Sequence, residues 1–178
     1  MKKVLAVLVV LALVCGGVFA SAFSARVHIA PIGFQAVRKD FDVCFKDGAG
    51  FYALAGDGTI NYYLNDNIRV GGQLYGVAHL GKDIDRCLDV SAYATFGCRF
   101  ALTEEVSIAA DFGVGGEFNL LHNGKDYPHI AGVADVTMSH NFNKHLAAEF
   151  GIKTNATVVE NETFVIGLVP FLGAEYRF

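Results

Sequence analysis

The last fifteen residues, Phe164 to Phe178, constrain the fold of this chain more than any other stretch. They read FVIGLVPFLGAEYRF, and every second residue counted back from the C-terminus is apolar. Because successive side chains of a strand point to opposite sides, this pattern predicts one long strand with an apolar face and a mixed face. The apolar face has Phe164 at one end and Tyr176 with Phe178 at the other. Such a strand is suited to crossing a bilayer, since aromatic rings favour the two membrane interfaces.

The N-terminus has the pattern of a targeting segment. Lys2 and Lys3 precede an apolar run from Val4 to Val14, and the segment then reaches Val18-Phe19-Ala20, which ends on a small residue. This order predicts a secretory signal peptide over residues 1–20, cleaved after Ala20 or, as a second choice, after Ala25. The alternative is a permanent N-terminal helix anchor, for which the apolar run is at the short limit.

Composition limits what the remaining residues, 21–178, can form. They are enough for one domain of ordinary size. Without the two N-terminal lysines the chain has twelve basic and eighteen acidic residues, which argues against a nucleic-acid partner, because such partners need a clustered basic face. Twenty glycines, fifteen phenylalanines and no tryptophan are typical of a glycine-rich, aromatic-rich β protein. The sequence therefore predicts an all-β domain over residues 21–178.

Seven further stretches show the same alternation. The connections between successive stretches alternate between short turns and longer charged loops. Each stretch has about the ten residues that a tilted strand needs to cross the hydrocarbon core. Only a closed barrel can cross in this way, since an open sheet would leave edge amides facing lipid. The sequence predicts an eight-stranded antiparallel up-and-down transmembrane β-barrel. The predicted strands before the last one are Arg26–Phe34, Gly50–Leu64, Ile68–Leu80, Cys87–Leu102, Val106–Phe118, Ile130–Phe142 and His145–Asn155.

Alternation alone leaves open whether the apolar face looks outward or inward. The alternative is a secreted soluble barrel of the lipocalin type, whose outer face would be rich in Lys and Glu. Here the second face is mostly Gly, Ser, Thr, Asn, Gln and Tyr, while most of the charge lies in the loops. Small residues are what a narrow eight-stranded interior can hold, so the membrane interpretation is favoured.

Two segments resemble a known family. The stretch Tyr62-Tyr63-Leu64-Asn65-Asp66-Asn67-Ile68 and the end Ala174-Glu175-Tyr176-Arg177-Phe178 look like those of small bacterial outer-membrane barrels of the OmpA transmembrane domain, OmpX and OmpW type. The resemblance implies residence in the bacterial outer membrane, with membrane lipid and the barrel-assembly machinery as partners. It also implies a C-terminal assembly signal formed by Phe178, Tyr176 and Leu172.

The family is functionally mixed, so two functions stay open. The first is a non-enzymatic structural or surface-interaction role, in which four extracellular loops meet a ligand or a host surface. The second, implied by the OmpW resemblance, is a narrow channel for small apolar or cationic solutes. No cofactor is expected for either function.

The inward-facing positions collect charged residues, which are predicted to form ion pairs because lone buried charges are costly. The favoured interpretation is a structural salt-bridge plug, and the alternative is a gated or ion-conducting lumen. Counting up from the short turns puts Arg99 and Glu149 at similar heights, below a layer that includes Lys153 as a cation. The predicted lumen charge network is Asp57, Arg69, Arg99, Asp111, Asp135, Glu149, Lys153 and Glu175.

No catalytic or metal site is predicted. Ser139 and His140 are adjacent, so in a strand their side chains point to opposite faces and cannot act together. The other histidines lack metal-ligand spacing. Among the cysteines, Cys44 and Cys87 fall in the first two long loops and are predicted to form a disulfide, since envelope compartments allow one. Cys98 falls on the lipid face.

Overall fold

A computed structural model describes residues 22–39, 42–44, 50–52, 54–78, 88–119, 129–159 and 163–178. The predicted signal peptide lies outside the described residues. So do Cys87 and the side chain of Cys44, and the disulfide between them stays a prediction. Cys98 is free and lies between two inward-facing residues, which places its side chain on the outer face.

The described chain is almost entirely extended. Among these residues there is no helix long and apolar enough to cross a membrane. The strands are β1 (Phe23–Ala30), β2 (Gly33–Lys39), β3 (Asp42–Cys44), β4 (Gly50–Tyr52), β5 (Leu54–Tyr63), β6 (Ile68–Ala78), β7 (Leu88–Ala101), β8 (Val106–Asn119), β9 (His129–Asn141), β10 (Leu146–Val159) and β11 (Thr163–Arg177).

These strands form one closed antiparallel sheet. From β5 to β11 each strand pairs with the next along the chain, and β1 pairs with both β5 and β11, which closes the barrel. β2 continues β1 along β11, while β3 and β4 pair with β2 as β5 pairs with β1. The short strands therefore extend the first two barrel strands. The predicted eight-stranded up-and-down barrel is confirmed.

The first barrel strand differs from the prediction, which ran unbroken from Arg26 to Phe34. It begins at Phe23 and breaks between β1 and β2 at Pro31 and Ile32. Ile29 pairs with Leu172 but Phe34 pairs with Leu168, so four residues lie opposite three of β11. This is a β-bulge, and Pro31, which has no amide hydrogen to donate, lies within it.

The apolar faces of the strands point outward. Leu172 is 66% exposed, Ile130 74% and Phe112 61%. The residues that alternate with them along each strand face the interior. An apolar belt around a whole barrel is far larger than the patches that soluble proteins expose to water. The soluble alternative therefore does not fit this protein, and the belt fits the hydrocarbon core of a bilayer.

Side chains fix the three short turns found among the described residues. We call the end of the barrel where these turns lie the turn end, and the opposite end the loop end. Asn65 Oδ1 accepts hydrogen bonds from the backbone amides two and three residues further along, at 2.9 and 2.8 Å. Asn143 Oδ1 accepts the equivalent pair at 2.8 and 2.9 Å, and Thr103 Oγ1 does so at 3.2 and 3.0 Å. These bonds hold tight hairpins and so set the register of the strands that follow.

The C-terminal residues lie on the outer face at the turn end. Tyr176 and Phe178 are about half exposed, and their rings meet edge to face with centroids 5.2 Å apart. The Phe178 backbone amide donates to the Phe23 carbonyl at 3.0 Å, so the last residue is tied to the first strand. The backbone of Phe178 thus contributes to closure of the barrel, while its ring lies on the outer surface against Tyr176.

We expect Phe178→Ser to lower the yield of folded, heat-modifiable protein in the outer membrane, because it removes the terminal ring and keeps the backbone hydrogen bond. Phe142→Ser is the matched control, since Phe142 is similarly exposed at the same end of the barrel, at 62% against 54%. Equal yields for the two variants would contradict an assembly signal at the C-terminus.

Candidate functional site

The interior of the barrel contains a dense group of charged side chains. All eight residues of the predicted lumen charge network are buried. Two more residues belong to the group, Arg26 and His28, which follow each other on the inner face of β1. Sequence reasoning did not assign them, although their alternation with Val27 and Ile29 is a signal that an inward face carries them.

Arg26 stands at the centre of the group. Its Nε donates to Glu149 at 2.9 Å, its Nη1 donates to Asp111 at 2.7 Å, and its Nη2 donates to the Thr137 hydroxyl at 3.0 Å. Nη2 also lies 3.9 Å from Asp135. The rigid guanidinium fork allows one side chain to serve several acceptors at once, which a lysine cannot do with the same geometry.

Arg69 completes the coordination of Asp111. Its Nε donates to Asp111 Oδ1 at 2.8 Å, and its Nη2 contacts the other carboxylate oxygen. Asp111 is thus held by two arginines. The inward-facing position opposite it on β7 is Gly97, where a Cβ atom would lie 1.7 Å from Asp111 Oδ1. The absence of a side chain at Gly97 therefore leaves the space that this ion pair fills.

His28 joins two further carboxylates. Its Nδ1 lies 3.0 Å from Asp57 Oδ1 and its Nε2 lies 2.9 Å from Glu149 Oε2. Asp57 is also contacted by the Lys153 ammonium and accepts a bond of 3.0 Å from Gln73 Nε2. We call the seven charged residues and the histidine of this group the charged layer. Its members are Arg26, His28, Asp57, Arg69, Asp111, Asp135, Glu149 and Lys153.

A second group lies nearer the turn end, around Glu175. This carboxylate accepts from Arg177 at 2.6 Å, from Tyr63 at 2.7 Å and from Arg99 at 3.3 Å. Arg99 also donates to Ser107 at 2.7 Å. Four of these residues, Tyr63, Arg99, Ser107 and Arg177, border an open recess of about 350 Å³ at the turn end. Arg99 thus pairs with Glu175 and belongs to this second group. The cations of the charged layer are instead Arg26, Arg69 and Lys153, which lie on other strands.

Beyond the charged layer, toward the loop end, the interior contains an apolar cluster. Its buried side chains are aromatic and aliphatic, and one of them, Phe171, lies against the His28 ring with centroids 4.2 Å apart. In the same half, Glu117 accepts hydrogen bonds from the Ser91 hydroxyl at 3.2 Å and from the Thr157 hydroxyl at 2.9 Å. The barrel is therefore filled by ion pairs nearer the turn end and, nearer the loop end, by apolar packing beside a small polar group. The larger members of this apolar cluster are Tyr75, Val77, Tyr93, Val133, Val169 and Phe171.

The structure does not bring the adjacent Ser139 and His140 side chains together. Ser139 faces inward and its hydroxyl donates to Glu149 at 3.0 Å, while His140 points outward. In the described part of the chain, no cluster of His, Cys, Asp or Glu is arranged to hold a metal ion. The interior ion pairs can hold the eight barrel strands together from the inside, and they occupy the path through the barrel.

Several solved structures share this fold. Neisserial surface protein A aligns with a TM-score of 0.65 at 14% identity, covering 88% of this chain and 97% of that one. Ail, the attachment invasion locus protein of Yersinia pestis, in complex with the heparin analogue sucrose octasulfate, aligns at 0.51 and 16%, covering 88% and 99%. The outer membrane protein OprG of Pseudomonas aeruginosa aligns at 0.52 and 13%, covering 89% and 96%.

These neighbours define the class by fold. The protein has the fold of the small eight-stranded outer-membrane barrels, as the two sequence segments predicted. No protein-family model matches the sequence, and no curated protein matches it either. At such low identities the likeness extends to the fold and to nothing finer.

Proposed function

We propose that this protein is a closed, non-enzymatic barrel of the bacterial outer membrane with a structural or surface-interaction role through its four extracellular loops. The observation that supports it is the charged layer. Arg26, Arg69 and Lys153 are each at most 2% exposed and pair with carboxylates from other strands, so the middle of the barrel is occupied. A barrel filled in this way acts through the parts that lie outside it.

The proposed location rests on the outward apolar belt and on the N-terminal signal pattern. Secretion would remove residues 1–20, and cleavage after Ala20 keeps β1 complete. Cleavage after Ala25 would remove the first three residues of β1, among them the buried Ser24. Outer-membrane lipid and the barrel-assembly machinery are the proposed partners during insertion, and nucleic acid is not one.

The proposed loop partner is an extracellular ligand or a host surface. Ail, which shares the fold, was solved in complex with the heparin analogue sucrose octasulfate, and this supports a heparin-like molecule as one kind of ligand to test. In this chain the long loops are also where most of the charge outside the barrel is found. Loop residues, and not the interior, are therefore expected to select the partner.

A narrow channel for small apolar or cationic solutes is the second candidate. One observation favours it: Ala30, Val169 and Phe171 form an apolar inner surface behind the bulge, where pairing between the first and last barrel strands is interrupted. An apolar solute that leaves the interior between these two strands would have fewer backbone hydrogen bonds to break than between other neighbouring strands of the barrel.

Recordings in planar bilayers separate the two functions. We expect the purified protein at neutral pH to give no steady conductance, since crossing the charged layer would require breaking several ion pairs. A variant with residues 121–128 replaced by a short Gly-Ser linker should fold equally well and should bind host-cell or polysaccharide surfaces less than the parent does. Steady conductance of the parent, with unchanged surface binding by the linker variant, would support the channel.

A further inference from the structure

The open recess at the turn end, which we call the turn-end recess, opens along the barrel axis. Its volume of about 350 Å³ is at the lower end of the range for small-molecule sites. It is lined by residues of the short turns and by strand residues, among them Arg99 and Arg177. The strand residues all belong to the inward-facing sets of their strands. A ligand would therefore enter from the water at this end of the barrel and not from the lipid.

The polar oxygens that line the turn-end recess already accept hydrogen bonds. Asn65 Oδ1 and Thr103 Oγ1 each accept from two backbone amides of their turns. Ser107 Oγ accepts from Arg99 Nε at 2.9 Å and from Arg99 Nη2 at 2.7 Å. Asn141 Oδ1 accepts from two arginines, each at 3.0 Å. These oxygens are therefore occupied and do not select a ligand that donates hydrogen bonds.

The donors of the recess are only partly used. Arg177 Nε and Nη2 bond to Glu175 Oε2 at 2.9 and 2.6 Å, whereas Arg177 Nη1 has no hydrogen-bond partner in the described part of the chain. The side-chain amide hydrogens of Asn65 and the hydroxyl hydrogen of Thr103 also have no acceptor among the described residues. Free donors beside occupied acceptors select a group that only accepts hydrogen bonds, and an ionised carboxylate is such a group.

The recess also lies at the positive end of the interior charges. The second group has one carboxylate, Glu175, and both Arg99 and Arg177 bond to it. The charged layer has four carboxylates and three permanent cations, and Arg69 Nη1 links the two groups because it lies 3.6 Å from Glu175 Oε1. Together the two groups balance, with five carboxylates and five permanent cations. The cation in excess is at the open end, where it attracts an anion from the water.

Two carboxylates, Asp66 and Glu104, also line the recess, both on exposed residues of the turns. Neither forms an ion pair with Arg99 or Arg177 within the described ranges. Carboxylates at this position repel a ligand that carries several negative charges, and they can accept hydrogen bonds from N–H groups. The end of a peptide chain has the complementary arrangement, since its carboxylate only accepts and the amides just before it donate.

We propose that the turn-end recess binds the C-terminal carboxylate of a peptide. Arg177 Nη1 is the charged donor to the carboxylate, and Asp66 and Glu104 accept from the N–H groups of the preceding residues. In the orientation of the proposed function, with the long loops outside the cell, this ligand is a peptide of the periplasm. The barrel then has two interaction ends, the loops and the recess, with the charged layer between them.

Titrations of the parent protein in neutral detergent micelles test the site, with the arginine Nε–H signals followed by ¹H–¹⁵N NMR. N-acetyl-alanylalanine should shift the Arg177 signal in a saturable way. The same peptide with a C-terminal amide should bind about tenfold more weakly, because it lacks the charged acceptor. Acetate and inorganic phosphate should also bind more weakly than the peptide acid, since neither has N–H groups for the two turn carboxylates. Equal affinity for the acid and the amide, or tighter binding of either ion, would overturn the proposal.

Arg177→Gln tests the assigned donor, and its binding is followed by the Arg99 Nε–H signal. We expect affinity for N-acetyl-alanylalanine to fall by about tenfold, since a charged hydrogen bond is lost. Lys144→Gln is the matched control, because Lys144 is an exposed turn residue at the same end that does not line the recess. Equal weakening in both variants, or no weakening in Arg177→Gln, would contradict the assignment. These titrations depend neither on the orientation in the cell nor on a partner of the loops.

Discussion

Arg26→Ala should lower the free energy of unfolding by about 3–5 kcal/mol, because it removes a buried cation and leaves its carboxylate partners uncompensated. Arg26 is 2% exposed and donates to Glu149, Asp111 and Thr137, so the loss extends to three strands. The measurement is the urea midpoint for unfolding in detergent micelles, in which the shift between the folded and unfolded bands on a gel reports the folded fraction.

Arg177→Ala provides the comparison. Arg177 also bonds a carboxylate, Glu175, but its side chain is 22% exposed at the turn end and Glu175 keeps Arg99 as a partner. We expect its removal to cost no more than about 1 kcal/mol, as for other pairs in contact with solvent. Equal midpoints for the two variants would show that the charged layer does not stabilise the barrel.

Gly97→Ala is expected to have the second large effect. A Cβ at this position would lie 1.7 Å from Asp111 Oδ1, and that oxygen cannot move aside without breaking its bond to Arg69. Overpacking of this kind typically costs about 1–3 kcal/mol, and the rigid partners place this site at the upper end of that range. The urea midpoint and the folded yield should both fall.

Gly58→Ala is the matched control, since Gly58 is also a strand glycine but faces outward with nothing within 4 Å of an added Cβ. Its midpoint should be unchanged or slightly higher, because alanine restricts the unfolded chain more than glycine does. A fall of similar size in both variants would mean that the effect comes from strand glycines in general and not from the space beside Asp111.

The barrel itself could be predicted because its determinant is local. A period of two along each strand assigns every residue to a face, whatever its neighbours are. For this reason the inward positions found in sequence, such as Asp57, Glu149 and Lys153, do lie in the interior. The apolar face of β11 is likewise exposed at every second residue from Ile166 to Tyr176, and Phe178, which follows the strand, is exposed too.

The pairing of the charges could not be read in the same way, because it depends on how strands are staggered around the barrel. Strands in a closed barrel tilt, so equal counts from the turns do not mean equal heights. Arg99 therefore meets Glu175, while Glu149 is bonded by Arg26. The start of β1 at Phe23 was also missed, although the alternation continues back to it. The bulge was missed because Pro31 keeps the alternation with Val27 and Ile29, and the alternation breaks only at Ile32, which is exposed next to Pro31.

The bonds of Arg26 join parts of the chain that are far apart in sequence. Its partners Glu149, Thr137 and Asp111 are 123, 111 and 85 residues away. Contacts of such high sequence separation form late, since the cost of closing long loops comes before their benefit. Until the last strands are in place, β1 would bring into the membrane a guanidinium with no carboxylate to meet it. The unpaired Arg26 therefore destabilises a partly assembled barrel, although the same residue stabilises the complete one. We expect insertion to proceed to the complete barrel without accumulating partly assembled intermediates.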